Sequence, residues 1–164
     1  MHTESPTGQR IHDDHHRVIA LLNDLEAFLD GTKDDAAPAL AQPPDRLLLA
    51  ALEEELGAGL DDHFDTEEEL FPAIAAAGGY ELTADLMADH AALRPLSNRL
   101  SRLCGLALRD GFDEETWAVF RSFSRNLIEG LVLHIQKEET TLLAAVDALL
   151  PPTEGVASPK VEPR

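Results

Sequence analysis

Apolar residues recur every three or four positions along residues 46–74, at Leu49, Leu52, Leu56, Leu60, Leu70 and Ile74, and His63 and Glu67 fall on the same stripe. That recurrence sets one face of an α-helix against a core. Positions four apart stand one turn above each other, so this imidazole and this carboxylate leave the helix on its buried side. The pattern returns along 114–149, where Phe120, Phe123, Leu127, Leu131, Leu142, Ala145 and Leu149 flank His134 and Glu138. Residues 9–29 carry a stripe of Ile11, His15, Val18, Ile19, Leu22, Leu25 and Leu29, and residues 83–108 carry Leu86, His90, Leu93, Ser97, Leu100 and Cys104. Any fold that buries these stripes buries four imidazoles and two carboxylates with them.

Loop signals separate the stripes. Residues 30–45, 75–82 and 109–115 hold most of the interior Gly and Pro, leaving four helical segments at 9–29, 46–74, 83–108 and 114–149. Asp45, Thr83 and Asp113 stand where helix N-caps are expected. The hydrophobic residues are mostly Leu and Ala, with 5% aromatics, a mixture that favours helices over strands. The expected fold is all-α: one domain, an antiparallel up-down-up-down four-helix bundle over 9–149, with a metal site in its core. Residues 1–8 are expected as a flexible N-terminus, and the Pro-rich, charged residues 150–164 as a disordered tail. Pro95, inside the third segment, is expected to kink it near 91–95. Phe112, Trp117, Phe120 and Phe123 are expected to pack the core at the start of the last helix.

Thirty-one acidic against thirteen basic residues give a net charge of −18. Such a surface repels phosphate backbones and anionic headgroups, which argues against nucleic-acid and membrane-surface roles. No run of eighteen apolar residues is present, and the polar N-terminus lacks the apolar stretch of a signal peptide. Cys104 is the single cysteine, so no internal disulfide forms, a usage that fits the cytoplasm. It reads as a small buried hydrophobe. Any metal must therefore be held by histidine and carboxylate.

A buried carboxylate left dry and unpaired costs several kcal/mol, so such groups are neutralised, paired or metal-bound. The metal-free alternative is a buried His–Glu hydrogen-bond network. It requires His15, His63, His90, His134, Glu67 and Glu138 to have arisen independently on four facing stripes. Imidazole with carboxylate suits iron, manganese and zinc, and six ligands exceed what one tetrahedral zinc takes. Two carboxylates able to bridge, with four imidazoles to share, fit a dinuclear site with open positions. Ferritin-like bundles use Glu-x-x-His, whereas the order here is His-x-x-x-Glu.

The segments "DHHRVIALLNDL", "HFDTEEELFP", "DHAALRPL" and "HIQKEE" resemble, in order, the four helices of hemerythrin-like domains, the HHE cation-binding group. The resemblance covers roughly 9–149. It implies a four-helix bundle around two non-haem iron ions joined by an oxo or hydroxo bridge. Glu67 and Glu138 would be the bridging carboxylates, and His15, His63, His90 and His134 terminal ligands. Oxygen-carrying hemerythrins have a second histidine one turn after the third-helix histidine, where this chain has Arg94, and H-x-x-x-x-D on the last helix, where it has H-x-x-x-E. The site therefore looks like the ligand-poorer bacterial branch, which favours redox chemistry, sensing or iron handling over simple O₂ carriage. Arg94 is either a cation favouring bound anions or a solvated surface residue.

The first-helix ligand lies among His12, His15 and His16. At ~100° per residue His15 sits about 60° from the centre of the apolar face, His12 about 120° and His16 about 160°. His15 is chosen. Glu68, Glu69 and Glu139 flank the candidate ligands and are expected to be solvated; Asp62 and Asp89 are weak candidates for supporting a ligand imidazole. The function expected is a cytoplasmic di-iron protein binding O₂, peroxide or a related small ligand for sensing, storage or oxidative and nitrosative protection. The alternatives are peroxide (catalase-like) or nitric-oxide chemistry at the same iron pair, an iron-responsive interaction module with an unknown protein partner, and a metal-free structural bundle.

Overall fold

A computed structural model of the chain describes residues 5–32 and 36–150. Among these residues every regular element is helical. They are α1 (Pro6–Asp30), α2 (Pro43–Glu54), α3 (Leu60–Glu68), α4 (Phe71–Ile74), α5 (Tyr80–Asp110), α6 (Glu114–Thr140) and α7 (Leu142–Leu149). Single π-helical turns, Glu55–Gly59 and Ala75–Gly79, join α2 to α3 and α4 to α5.

Helix α1 begins at Pro6, three residues before the start expected at residue 9. Ser5 caps it, its hydroxyl accepting from the Gly8 amide at 2.9 Å, and Pro6 supplies a φ suited to the first turn. The Ser5 amide in turn donates to Asp147 of α7 at 3.0 Å, tying the two helices together. Of residues 1–8, expected as a flexible terminus, 6–8 are thus helical and 1–4 lie outside the described residues; so do 151–164 of the expected tail.

The segment 46–74 is not one helix but α2, a π turn, α3 and α4. The π turn is wide enough to free backbone carbonyls, and α5 answers them. Ser97 donates to the Leu56 carbonyl at 2.5 Å and Ser101 to the Glu53 carbonyl at 2.6 Å. The break before α4 comes at Pro72, which cannot continue the hydrogen-bond ladder of α3. The expected loop at 75–82 is a π-helical turn and the start of α5, with Gly78 at a φ of 103° that a side chain would resist. Asp45 and Thr83 therefore lie inside helices rather than at caps: Gln42 precedes α2, and the Thr83 hydroxyl donates to the Tyr80 carbonyl. Asp113 does cap α6, in a reciprocal capping box with Thr116. Helix α5 is unbroken through Pro95. The expected fourth helix divides at Thr141, whose hydroxyl and that of Thr140 both bond back to the Lys137 carbonyl and compete with the ladder there.

Helix α1 lies against α2, α3, α6 and α7, while α5 lies against α2, α3, α4 and α6. Two apolar clusters result. The larger gathers Val18, Leu22, Leu52, Leu60, Phe64, Leu93, Leu100, Trp117, Phe120, Leu127, Leu131 and Ile135, among others. The smaller holds Ile11, Phe71, Ile74, Leu86, Leu142, Leu143 and Val146. Each fully buried Leu or Phe adds ~1.5–3 kcal/mol to folding. Trp117 and Phe120 are fully buried, with Phe112 and Phe123 packed at their edge. Every histidine of the four stripes falls in sequence between a residue of one cluster and a residue of the other, so the polar layer lies between two apolar ones.

Candidate metal centre

Glu67 and Glu138 are 0% exposed, and His15, His63, His90 and His134 are each 5% exposed or less. Helical spacing accounts for two contacts: Nε2 of His63 lies 2.9 Å from Glu67 within α3, and Nε2 of His134 lies 2.9 Å from Glu138 within α6. Tertiary packing adds the others. His15 Nε2 comes from α1 to 3.0 Å of Glu138 and 3.4 Å of Glu67, and His90 Nε2 comes from α5 to 3.3 Å of Glu67 and 3.5 Å of Glu138. The six side chains form two overlapping groups, His15–His63–Glu67–Glu138 and Glu67–His90–His134–Glu138, with candidate ligand atoms all within 4.8 Å inside each group. Both carboxylates belong to both groups.

The outward nitrogens face a second set of carboxylates. Nδ1 of His15 meets Glu139 at 2.6 Å, Nδ1 of His90 meets Glu68 at 2.8 Å, and Nδ1 of His134 meets Asp89 at 3.0 Å. Nδ1 of His63 lies 3.5 Å from Asp14, an ion-pair distance. A carboxylate that accepts the Nδ1 proton fixes the tautomer, leaving the Nε2 lone pair directed inward. Aromatic rings set the remaining orientation: Phe64 stacks on His90 with centroids 4.0 Å apart, and Phe71 covers it from 5.7 Å.

Without a metal, this cluster is strongly polarised. Burial alone would lower the His15 pKa, but Glu138, Glu67 and Glu139 push it up to about 10. His90 is pushed against its burial to about 9 by Glu138, Glu67 and Glu68. Burial would raise both glutamates, yet the imidazoles around them hold Glu67 below the usual carboxylate range and Glu138 well below it.

The orientation of the donors shows that these residues fit a cation. Both oxygens of Glu67, both of Glu138 and Nε2 of His15 are buried without a properly aligned hydrogen bond, although imidazole nitrogens lie 2.9–3.5 Å away. Distance is satisfied and direction is not. Buried ligand atoms that lie within 4.8 Å of one another and lack hydrogen-bond partners are what a shared ion would use. His90 and His134 differ in that their Nε2 atoms lie 3.1 Å apart, at hydrogen-bond distance of each other.

All six residues singled out from sequence thus meet in one layer. His12 is half-buried and His16 exposed, so of the three α1 histidines only His15 faces inward. The supporting carboxylates were harder to foresee. Asp62 and Glu69 are exposed and Asp89 meets His134, whereas Glu68 and Glu139, expected to be solvated, hold ligand-position imidazoles, and no signal in the sequence marks Asp14, which stands by His63. Arg94 is half-buried: it pairs with Asp61, Asp65 and Glu68 and lies over the Phe64 ring at 5.3 Å. A cavity of about 620 Å³ opens between α1 and α6, with Ile19, Val132 and Ile135 on its walls and His15, His16 and Glu139 at one end.

A helical protein with a buried layer of imidazoles and shared carboxylates belongs to the cation-binding class of helical domains. Residues 8–146 match the family described as the hemerythrin HHE cation binding domain, and the chain belongs to that family. No curated protein and no solved structure matches it. Among the described residues no helix is long and apolar enough to cross a membrane.

Proposed function

We propose that the protein is a non-haem di-iron protein that binds O₂ or a related small ligand, peroxide included, for sensing, storage or protection. His15 and His63 would serve one ion, His90 and His134 the other, and Glu67 and Glu138 would bridge them. One observation carries this reading: the two candidate ligand groups share both glutamates, whose four oxygens lack aligned hydrogen bonds. Imidazole and carboxylate suit iron, and a bound pair of irons supplies redox chemistry and open positions for a small ligand. The chain's own residues bind and orient. Glu68, Asp89 and Glu139 aim three of the imidazoles and Asp14 stands at ion-pair distance from the fourth, while Phe64, Phe71 and the apolar clusters keep bulk water out.

An up-down-up-down four-helix reading of residues 9–149 goes with this function. Helices α1 and α5 run from the smaller apolar cluster toward the larger, while α2–α3 and α6 run the other way, which supports it. The net charge of −18 supports a small-molecule ligand over nucleic acid. The single buried thiol is compatible with a cytoplasmic setting.

Elemental analysis of protein expressed with iron tests the reading, alongside absorption spectra with and without O₂. Two irons per chain and an O₂-dependent spectrum are expected, both lost in the Glu67→Ala, Glu138→Ala variant. A single zinc, or no metal, overturns it. Turnover of H₂O₂ above that variant would move the reading from carriage or sensing to peroxide chemistry.

A further inference from the structure

The four outer carboxylates are not equivalent. Asp14 is neutralised by Arg17 at 2.8 Å, Glu68 by Arg94 at 3.1 Å, and Asp89 by Lys137 at 2.7 Å. Glu139 has no Lys or Arg at ion-pair distance among the described residues; its second partner is His12, whose Nδ1 lies 2.8 Å away. That contact leaves Nε2 of His12 facing outward, where it meets Nε2 of His16 at 3.1 Å, one helical turn along α1. His16 is exposed, and the α1–α6 cavity opens beside it, with His15 and Glu139 in the same wall.

Two imidazole nitrogens so placed suit one ion. Metal–nitrogen bonds of ~2.1 Å put adjacent ligands roughly 3.0–3.4 Å apart, and the observed separation falls in that range. His12 is already oriented by a carboxylate, as metal-binding histidines generally are. The surrounding charge of −18 raises the local concentration of divalent cations. At three corners the balancing cation is built into the chain. At the fourth, paired imidazoles stand in its place and face the solvent.

We propose that His12 and His16 form a solvent-facing site for a divalent first-row transition-metal ion, the port through which metal reaches the buried centre. Glu139 joins the two sites, with one oxygen on His12 of the port and the other on His15 of the centre. The delivery role rests on the di-iron reading above; the surface site does not.

The test compares wild type with His16→Gln, an exposed change that leaves the core intact. Calorimetric titration of the metal-filled protein with Zn²⁺ should show one further ion per chain, with affinity reduced roughly 10–100-fold or more in the variant, since losing a ligand costs at least what losing an orienting partner does. Metal-stripped chains given Fe(II) without oxygen should fill the buried centre to the same final level, read by its absorption once air is admitted, several-fold more slowly in the variant. Equal zinc binding in the two proteins overturns the site, and equal uptake rates overturn the port. Should wild type take up no iron, the di-iron reading fails and delivery with it. Zinc titration of the Glu67→Ala, Glu138→Ala chain, with and without His16→Gln, then decides the surface site by itself.

Discussion

Nε2 of His90 and Nε2 of His134 lie 3.1 Å apart, while Nδ1 of the first meets Glu68 and Nδ1 of the second meets Asp89. If each Nδ1 carries the proton it donates, two lone pairs face each other across that gap. The arrangement is repulsive unless one ring takes up a second proton or a cation sits between them. The metal-free chain takes the first course at His90, whose pKa is pushed up to about 9; a bound metal ion held by His90 and His134 would supply the second.

The outer carboxylates should therefore set metal affinity without setting the fold. Glu68→Gln and Asp89→Asn each remove a charge behind one imidazole, and affinity should fall ~10–100-fold for each. Glu69→Gln, one residue along and exposed, should change nothing. Competition against a coloured chelator measures all three, and equal affinities would show that these carboxylates do not act on the centre.

Metal loading should release protons. With His15 held at about 10 and His90 at about 9, both are protonated at neutral pH in the metal-free chain, and ligation requires their Nε2 lone pairs. About two protons per chain should appear near pH 7, read with an indicator dye in weak buffer. Stability follows the same protons. Raised imidazole pKa values give stability that is complete below 6.5 and lost as pH climbs through about 9 to 10. The lowered glutamates give stability that is present above 4.5 and lost as pH falls. The metal-free chain should thus melt highest between about 4.5 and 6.5, with the alkaline loss suppressed by metal; melting curves across pH check it.

Much of the centre could be read from periodicity, because a buried polar residue on an apolar stripe is conspicuous whatever its partners. The four inward histidines and both glutamates announce themselves this way, and 60° of helical phase was enough to separate His15 from His12 and His16. Of the outer carboxylates only Asp89 stands out in the sequence, as a weak candidate, because each serves a histidine on another helix. Asp14 precedes His15 but faces His63, and Asp89 precedes His90 but faces His134. Glu68 and Glu139, each following a central glutamate, reach across to α5 and α1. The breaks at 55–59 and Thr141 were also hidden, since side chains of α5 and backbone-bonding hydroxyls decide them rather than Pro or a turn motif.

Cys104 should be inert in the native protein. Burial, aided by the negative charge of Glu53, pushes its thiol from 9.0 up to about 12, and it is 0% exposed. Thiol reagents at pH 8 should label the folded chain no faster than it unfolds, and label it promptly in denaturant. Fast labelling of the native chain would mean that α5 opens locally.

The π turn at 55–59 supplies the sharpest test of how the centre is positioned, because it sets the phase at which α3 delivers His63 and Glu67. A methyl group added at Gly57 would stand 2.9 Å from the Ser101 hydroxyl, a contact that forces one of them to move. That hydroxyl is committed to the Glu53 carbonyl at 2.6 Å. Gly57→Ala should then displace Ser101 and strand the carbonyl, costing about 1–3 kcal/mol, with the melting temperature lowered ~2–4 °C for each kcal/mol. Ser101→Ala alone strands the same carbonyl and should cost a similar amount. The double variant loses that bond only once and relieves the clash, so its cost should fall below the sum of the two. Strict additivity would mean that the turn is held by something other than Ser101. Metal affinity measured on the same variants shows whether a shift at Gly57 reaches His63, six residues further along the chain.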